Sequence, residues 1–257
     1  MLKKLALVTL IIFSALIFSL KSTNNGNING TSGAPPYGEG ESEVPATDPF
    51  SIINNWTRPD GPASVGIQIG HYKNDEVPEE LERLKNNSGA EGGGKWEWEV
   101  NFAIATAIAQ KLREENIIVD MLPTTIPPKY WADVFISIHA DGSEDRGKSG
   151  YKFAGPWRDY SKKSADLVSI LEKHYEEATG LAKDENISRN MRGYYAFSWW
   201  RYEHSVHPMT TSVIAETGFL TNRGDQKLLI NTPEIPARAI SEGILEFLRG
   251  EKLAISQ

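Results

Sequence analysis

The chain of 257 residues is 40% hydrophobic and 24% charged, the balance of an ordinary globular protein with enough apolar side chains for one sizeable core. Its formal net charge of -7 comes without any concentrated run of Lys and Arg, so no nucleic-acid partner is expected. The complete lack of cysteine excludes disulfides, thiolate nucleophiles, iron-sulfur clusters and a cysteine-linked lipid, and leaves only His, Asp and Glu to hold a metal.

At the start of the chain, Lys3 and Lys4 precede the apolar run "LALVTLIIFSALIFSL", which Lys21 ends. Residues 1–21 therefore read as a signal peptide or, since no A-x-A cleavage site follows, as an uncleaved membrane anchor through residues 5–20. Either reading exports the protein to the cell envelope. Residues 22–49, rich in Gly, Pro, Asn and Ser, read as a disordered linker. A catalytic domain is expected over 50–251, with 252–257 as a tail.

Within that domain, short apolar runs alternate with amphipathic stretches. Strands are predicted at Val65 to Ile69, Ile117 to Leu122, Val134 to Ile138, Gly150 to Phe153 and Ser212 to Ala215. Between them, a helix starting near Trp96 carries Val100, Ile104, Ile108 and Leu112 on one stripe. A second places Ser164, Leu167, Val168, Leu171 and Tyr175 inward. The last helix runs from about Pro236 to Arg249 with Ile240, Ile244, Phe247 and Leu248 on one side, Pro236 in its first turn and Gly250 as its stop. The fold class that follows is α/β, a single three-layer αβα domain with a mostly parallel sheet.

Open α/β sheets bind ligands beyond the carboxyl ends of their strands. Three predicted strands deliver an ionisable residue there: His71 after "SVGIQIG", His139 after "VFISI" and Glu216 after "TSVIA". One histidine so placed is commonly a structural hydrogen-bonding residue, but two of the chain's five histidines share this position. Two imidazoles make half of a catalytic zinc site, which needs a third ligand and an open fourth position. In "GGGKWEWEVNFAIA", helical spacing puts Glu97 on the core side with Val100 and Asn101, whereas Glu99 points away. Zn²⁺, one per chain, held by His71, Glu97 and His139 is the expected centre. Glu216 then fits a general base, a further ligand or a polar strand end.

With those residues in place, the sequence from about Val65 to Leu248 resembles the zinc-dependent N-acetylmuramoyl-L-alanine amidases of the Amidase_3 type, which cleave bacterial peptidoglycan. The "IGH" at His71 and "EWEVNFAIA" resemble the family's first histidine and ligand-glutamate helix. "ADVFISIHADG" resembles "AD-x-FISIHAN", and "VIAETGFLTN" resembles "VLVE-x-GF-x-(S/T)N". The resemblance implies a zinc-exopeptidase-like fold, Zn²⁺ on His71, Glu97 and His139, and Glu216 as catalytic acid/base. It also implies a substrate bond, the amide between N-acetylmuramic acid and L-alanine, and peptidoglycan as partner. This chain departs from the pattern in a longer segment after His71, in Thr211 and Ser212 where Pro-Ala is usual, and in lacking an arginine before Ala132. No wall-binding repeats are present, and the stretch from Ala178 to Arg201 could cover the site.

Asn222, Arg189 and His207 are expected to contact substrate. Asn222 also suits a cap or brace after Glu216. Arg189 or Arg192 suits acidic peptide groups. His204 and His207 read as loop residues near the substrate, and His174 as a surface or partly packed residue. Asp141 and Gly142 read as the turn after the His139 strand. The aromatic run "YYAFSWW", Tyr194 to Trp200, suits core packing more than sugar stacking. Two other readings stay open: a zinc carboxypeptidase of similar fold, and a non-catalytic wall-binding module. Any protein activator is unknown.

Overall fold

The computed structural model describes residues 50–253; the expected signal or anchor, the linker and residues 254–257 of the tail lie outside them. Among the described residues there are seven strands: β1 (Ser64–Ile69), β2 (Glu91–Gly92), β3 (Lys95–Trp96), β4 (Ile118–Leu122), β5 (Val134–Asp141), β6 (Lys152–Ala154) and β7 (Thr211–Phe219). The α-helices are α1 (Ser51–Asn54), α2 (Glu97–Glu114), α3 (Ser164–Thr179), α4 (Arg189–Arg192), α5 (Arg223–Leu229) and α6 (Glu234–Gly250). The main sheet has the order β4-β1-β5-β7-β6, and β2 and β3 form a separate hairpin. β4, β1, β5 and β7 are parallel, while β6 runs antiparallel to β7.

The central strands are buried along nearly their whole length, which is why their sequences are continuous apolar runs. One face of the sheet packs against α2, α3 and α6 in the larger apolar cluster. The other face is covered by α4, loops, and two short 3-10 helices at Glu79–Leu84 and Tyr195–Phe197, which supply Leu81, Met191, Tyr195 and Phe197 to a second cluster. The third layer is thus built of single turns, where long helices would show a periodic stripe.

In α2, Val100, Ile104, Ile108 and Leu112 are buried. Burying each contributes about 1.5–3 kcal/mol, which outweighs the propensity cost of the three β-branched residues, at most about 0.7 kcal/mol apiece. The Glu99 carboxylate caps the helix by accepting from the Trp96 N–H at 2.9 Å. At the other end Asn116 adopts φ 59, and Asn116 and Ile117 donate back to Arg113 and Leu112.

Several expectations change. β5 continues through His139 to Asp141, and β7 through Glu216 to Phe219, because backbone pairing, including His139 with Glu216, persists after the side chains turn polar. His139 and Glu216 are therefore inside strands, and Asp141 ends its strand instead of forming the turn. Gly250 is the last residue of α6, and the left-handed position that stops the helix belongs to Lys252, φ 56, with Leu253 donating to Leu248.

The carboxyl ends of β1 and β5 are where connections diverge: from β1 the chain passes through α2 to β4 on one side, whereas β5 leads to β6 and β7 on the other. Such a divergence opens a crevice between the strand ends. At the opposite end, Asp133 fastens the same two strands. It accepts a fork from Arg58 at 2.6 and 2.9 Å and the Ser64 N–H at 2.9 Å. Asp133→Ala is expected to lower stability by about 1.5–3 kcal/mol, read as a reduced urea midpoint with an unchanged slope.

Candidate metal centre

The chain turns sharply after β1. His71 adopts φ 62, a left-handed conformation that costs a non-glycine residue about 1–2 kcal/mol. In return its ring is aimed across the strand end. Its Nδ1 lies 3.0 Å from the Asn87 carbonyl, which can only accept, so Nδ1 carries the proton and Nε2 keeps its lone pair. That Nε2 lies 3.4 Å from Glu97 Oε2. Burial, the largest influence, lowers the His71 pKa and favours the neutral ring, although Glu97 pulls the other way.

Glu97 is the first residue of α2, at the positive end of the helix dipole. Its Oε2 accepts from the Ala90 N–H at 2.9 Å; its Oε1 accepts from the Ala140 N–H at 3.1 Å and Asn101 Nδ2 at 3.3 Å. Burial would raise its pKa, but His139, through hydrogen bond and charge, together with His71 and the Ala90 N–H, brings it down to about 2. His139 Nδ1 lies 3.0 Å from Glu97 Oε1. Burial opposes charge on this ring, yet Tyr194 and Glu97 raise its pKa to about 10. These groups together favour a buried positive charge at this place, which a metal ion could supply. One ligand atom each from His71, Glu97 and His139 lies within 4.8 Å of the others.

Two glycines make this approach feasible. A Cβ on Gly70 would fall 2.4 Å from His139 Cε1, and one on Gly89, φ +77, would fall 2.2 Å from Glu97 Oε2.

Glu216 stands between His139 on β5 and Lys152 on β6, its register partners in the two neighbouring strands. Its Oε2 is enclosed and has no hydrogen-bond partner among the described residues. Burial chiefly, with the negative Glu97 and Asp141, raises its pKa to about 8 against the opposing pull of His139 and Lys152. A carboxyl group so placed can exchange a proton near neutral pH.

Sequence reasoning did not single out Lys152, Tyr194, Gln68, Ser137 or Arg83. Lys152 is buried, with its Nζ 2.5 Å from Asp141 and 3.3 Å from Asp184. The Tyr194 hydroxyl lies 3.3 Å from His139 Nε2 and donates to Gln68 Oε1 at 3.0 Å; Ser137 Oγ donates to the same Gln68 oxygen at 2.7 Å. Gln68 Nε2 in turn reaches Thr124 O at 2.8 Å and the Tyr195 hydroxyl at 2.5 Å. The available signal was a polar residue inside each apolar run, at paired positions: Gln68 and Ser137 face each other across β1 and β5. His71 and His139 line a cleft of about 330 Å³ whose walls also include Arg83, Asn190, Tyr194 and Glu216.

The three expected substrate contacts lie elsewhere. Asn222 caps α5, its oxygen accepting from Gly224 and Asp225 and its amide donating to Arg146 O, so its polar atoms are committed to the fold. Arg189 is exposed on α4 outside the cleft lining, and the guanidinium at that lining is Arg83. His207 is buried before β7, at the opposite end of the sheet, with its ring 5.9 Å from Trp56 and its N–H on Tyr130 O. His204 pairs with Glu80 at 2.7 Å and His174 with Glu246 at 2.7 Å. In the aromatic run, Tyr195 and Phe197 are core residues while Tyr194 reaches the site.

A family model described as Amidase_3, N-acetylmuramoyl-L-alanine amidase, matches residues 65–246. A comparison with curated proteins gives no match. Among solved structures, the fold is similar to the amidase AmiC2 of Nostoc punctiforme at 20% identity and TM-score 0.54, covering 74% of this chain and 99% of that one. It is also similar to the catalytic domain of CwlV from Bacillus (Paenibacillus) polymyxa, at 22% identity and TM-score 0.51, with 73% and 98% covered. A third similar structure is the CwlD amidase of Clostridioides difficile, solved in complex with the GerS lipoprotein, at 17% identity and TM-score 0.51, with 73% and 99% covered. The site's order along the chain, His71, Glu97, His139 and Glu216, falls wholly within the matched residues, and the chain belongs to the N-acetylmuramoyl-L-alanine amidase family, enzymes that hydrolyse the amide joining N-acetylmuramic acid to L-alanine in peptidoglycan.

Proposed function

We propose that His71, Glu97 and His139 hold one Zn²⁺ per chain and that Glu216 is the catalytic acid/base of the amidase. The observation that carries this reading is the close set of two imidazoles and a carboxylate beside the unpartnered, enclosed Oε2 of Glu216. Two nitrogens and one oxygen, with a fourth position open to a cleft, suit a catalytic zinc. When bound, zinc would lower the pKa of a water to about 7 and polarise the amide carbonyl.

The chain's own groups then have distinct tasks. The Glu216 carboxylate takes a proton from the attacking water and delivers it to the amide nitrogen as the C–N bond breaks, leaving a lactyl carboxylate and a free L-alanine amine. Asn87 fixes the His71 tautomer, and Tyr194, itself held by Gln68, orients His139. Arg83 supplies a positive charge for carboxylates of the stem peptide. We further propose that residues 50–251 are the catalytic domain and that residues 1–21 export it, as a signal peptide or an anchor.

Purified peptidoglycan incubated with the protein is expected to release peptides beginning with L-alanine, a release stopped by chelator and restored by zinc. Free amino acids as products would indicate a carboxypeptidase, and binding without release a wall-binding module. Glu216→Gln is expected to retain one zinc per chain while turnover falls about 10²–10⁴-fold. His71→Ala and His139→Ala should lose the metal, measured by elemental analysis after dialysis. Gly70→Ala should weaken zinc binding about 10–100-fold by displacing the His139 ring, read by competition with a chromogenic chelator.

A further inference from the structure

A second cleft, of about 440 Å³, lies on the other flank of His71 and meets the first at that residue. Its size falls within the about 300–1,000 Å³ of small-ligand sites. Tyr72 and Trp98 line it, their rings 6.0 Å apart and inclined by 31°. Phe102 packs edge-on to Tyr72 at 5.3 Å and, like Trp96, is exposed, so aromatic surface continues outside the cleft. The remaining lining is mostly neutral and hydrogen-bonding: Asn74, Asn86, Asn87 and Ser88, with one charge of each sign from Lys73 and Asp75. Asn74 is 6% exposed; its Nδ2 donates to Asn87 O, while its Oδ1 has no partner among the described residues. An unpaired buried oxygen costs about 1–3 kcal/mol, which a ligand or water donor can relieve.

The two halves of the scissile compound differ chemically. On the acyl side is an uncharged pyranose chain with apolar C–H faces, hydroxyls and acetamido groups. On the amine side is a peptide bearing carboxylates. Both must extend from the bond held beside His71 and Glu216. The cleft containing Arg83 offers a cation; the cleft containing Trp98 offers aromatic faces and amides, which suit sugar rings. We propose that the Tyr72, Asn74 and Trp98 cleft is the glycan subsite, so that substrate lies with its polysaccharide over α2 and its peptide towards α4. This assignment rests on the amidase reading.

The test is calorimetric titration of the protein, in zinc and in chelator, with a peptide-free tetrasaccharide of alternating N-acetylglucosamine and N-acetylmuramic acid. Binding is expected in both conditions. Trp98→Ala should weaken it roughly tenfold or more, Trp98→Phe should recover most of the loss, and Ser88→Trp, which fills the cleft from its loop, should abolish it. In turnover, Trp98→Ala should raise KM for a disaccharide-peptide and leave kcat/KM for a sugar-free lactoyl-peptide unchanged. No glycan binding by the unaltered protein, unchanged affinity in Ser88→Trp, or an equal loss on both substrates in Trp98→Ala would overturn the assignment. Should Trp98→Ala lose zinc by disturbing Glu97, the Ser88→Trp titration decides alone. Glycan binding without hydrolysis of either substrate would leave the subsite standing and remove the amidase reading.

Discussion

A single buried carboxylate organises the end of the sheet where the clefts meet. Glu97 accepts hydrogen bonds from the backbone of Ala90, just before the hairpin, and of Ala140, in β5, while itself starting α2. The segment before the hairpin, the start of α2 and the distant strand β5 are therefore tied through two oxygen atoms. An isolated anion would not survive there, since desolvation opposes charge so strongly. The helix dipole, two backbone N–H groups and two imidazoles together keep it ionised. This accumulation of partners makes the position an attractive one for a cation.

Much of the arrangement was legible in the sequence because burial on both faces leaves continuous apolar runs, and because helical spacing separates an inward acid from an outward one. Glu97 and Glu99 illustrate the second point: the former faces the histidines and the latter reaches back to the Trp96 N–H. Strand limits were less legible. A β-ladder is made by backbone groups, so β5 and β7 run on through His139 and Glu216, where the continuous apolar run breaks, without any compositional warning.

What stayed hidden came from segments with no period. The wall formed by α4 and the Tyr195–Phe197 turn packs through isolated side chains, and adjacent residues of one aromatic run diverge: Tyr195 enters the core while Tyr194 touches His139. The same lack of regularity misplaced His207 and Arg189, since distance along an irregular chain says little about which end of a sheet a residue reaches. Lys152 was concealed differently. A lysine in a three-residue edge strand reads as solvated, and only its partners Asp141 and Asp184 make its burial tolerable.

The backbones that carry the three clustered donors are unequal in rigidity. Glu97 belongs to an eighteen-residue helix and His139 to the middle of a parallel sheet, but His71 hangs from an irregular left-handed turn. Opening that turn requires no strand to separate and no helix to unwind. An ion seated among them would accordingly exchange through a hinged imidazole, with a two-point half-site persisting as the intermediate, and loading kinetics would be governed by the local opening of a few residues instead of by global unfolding.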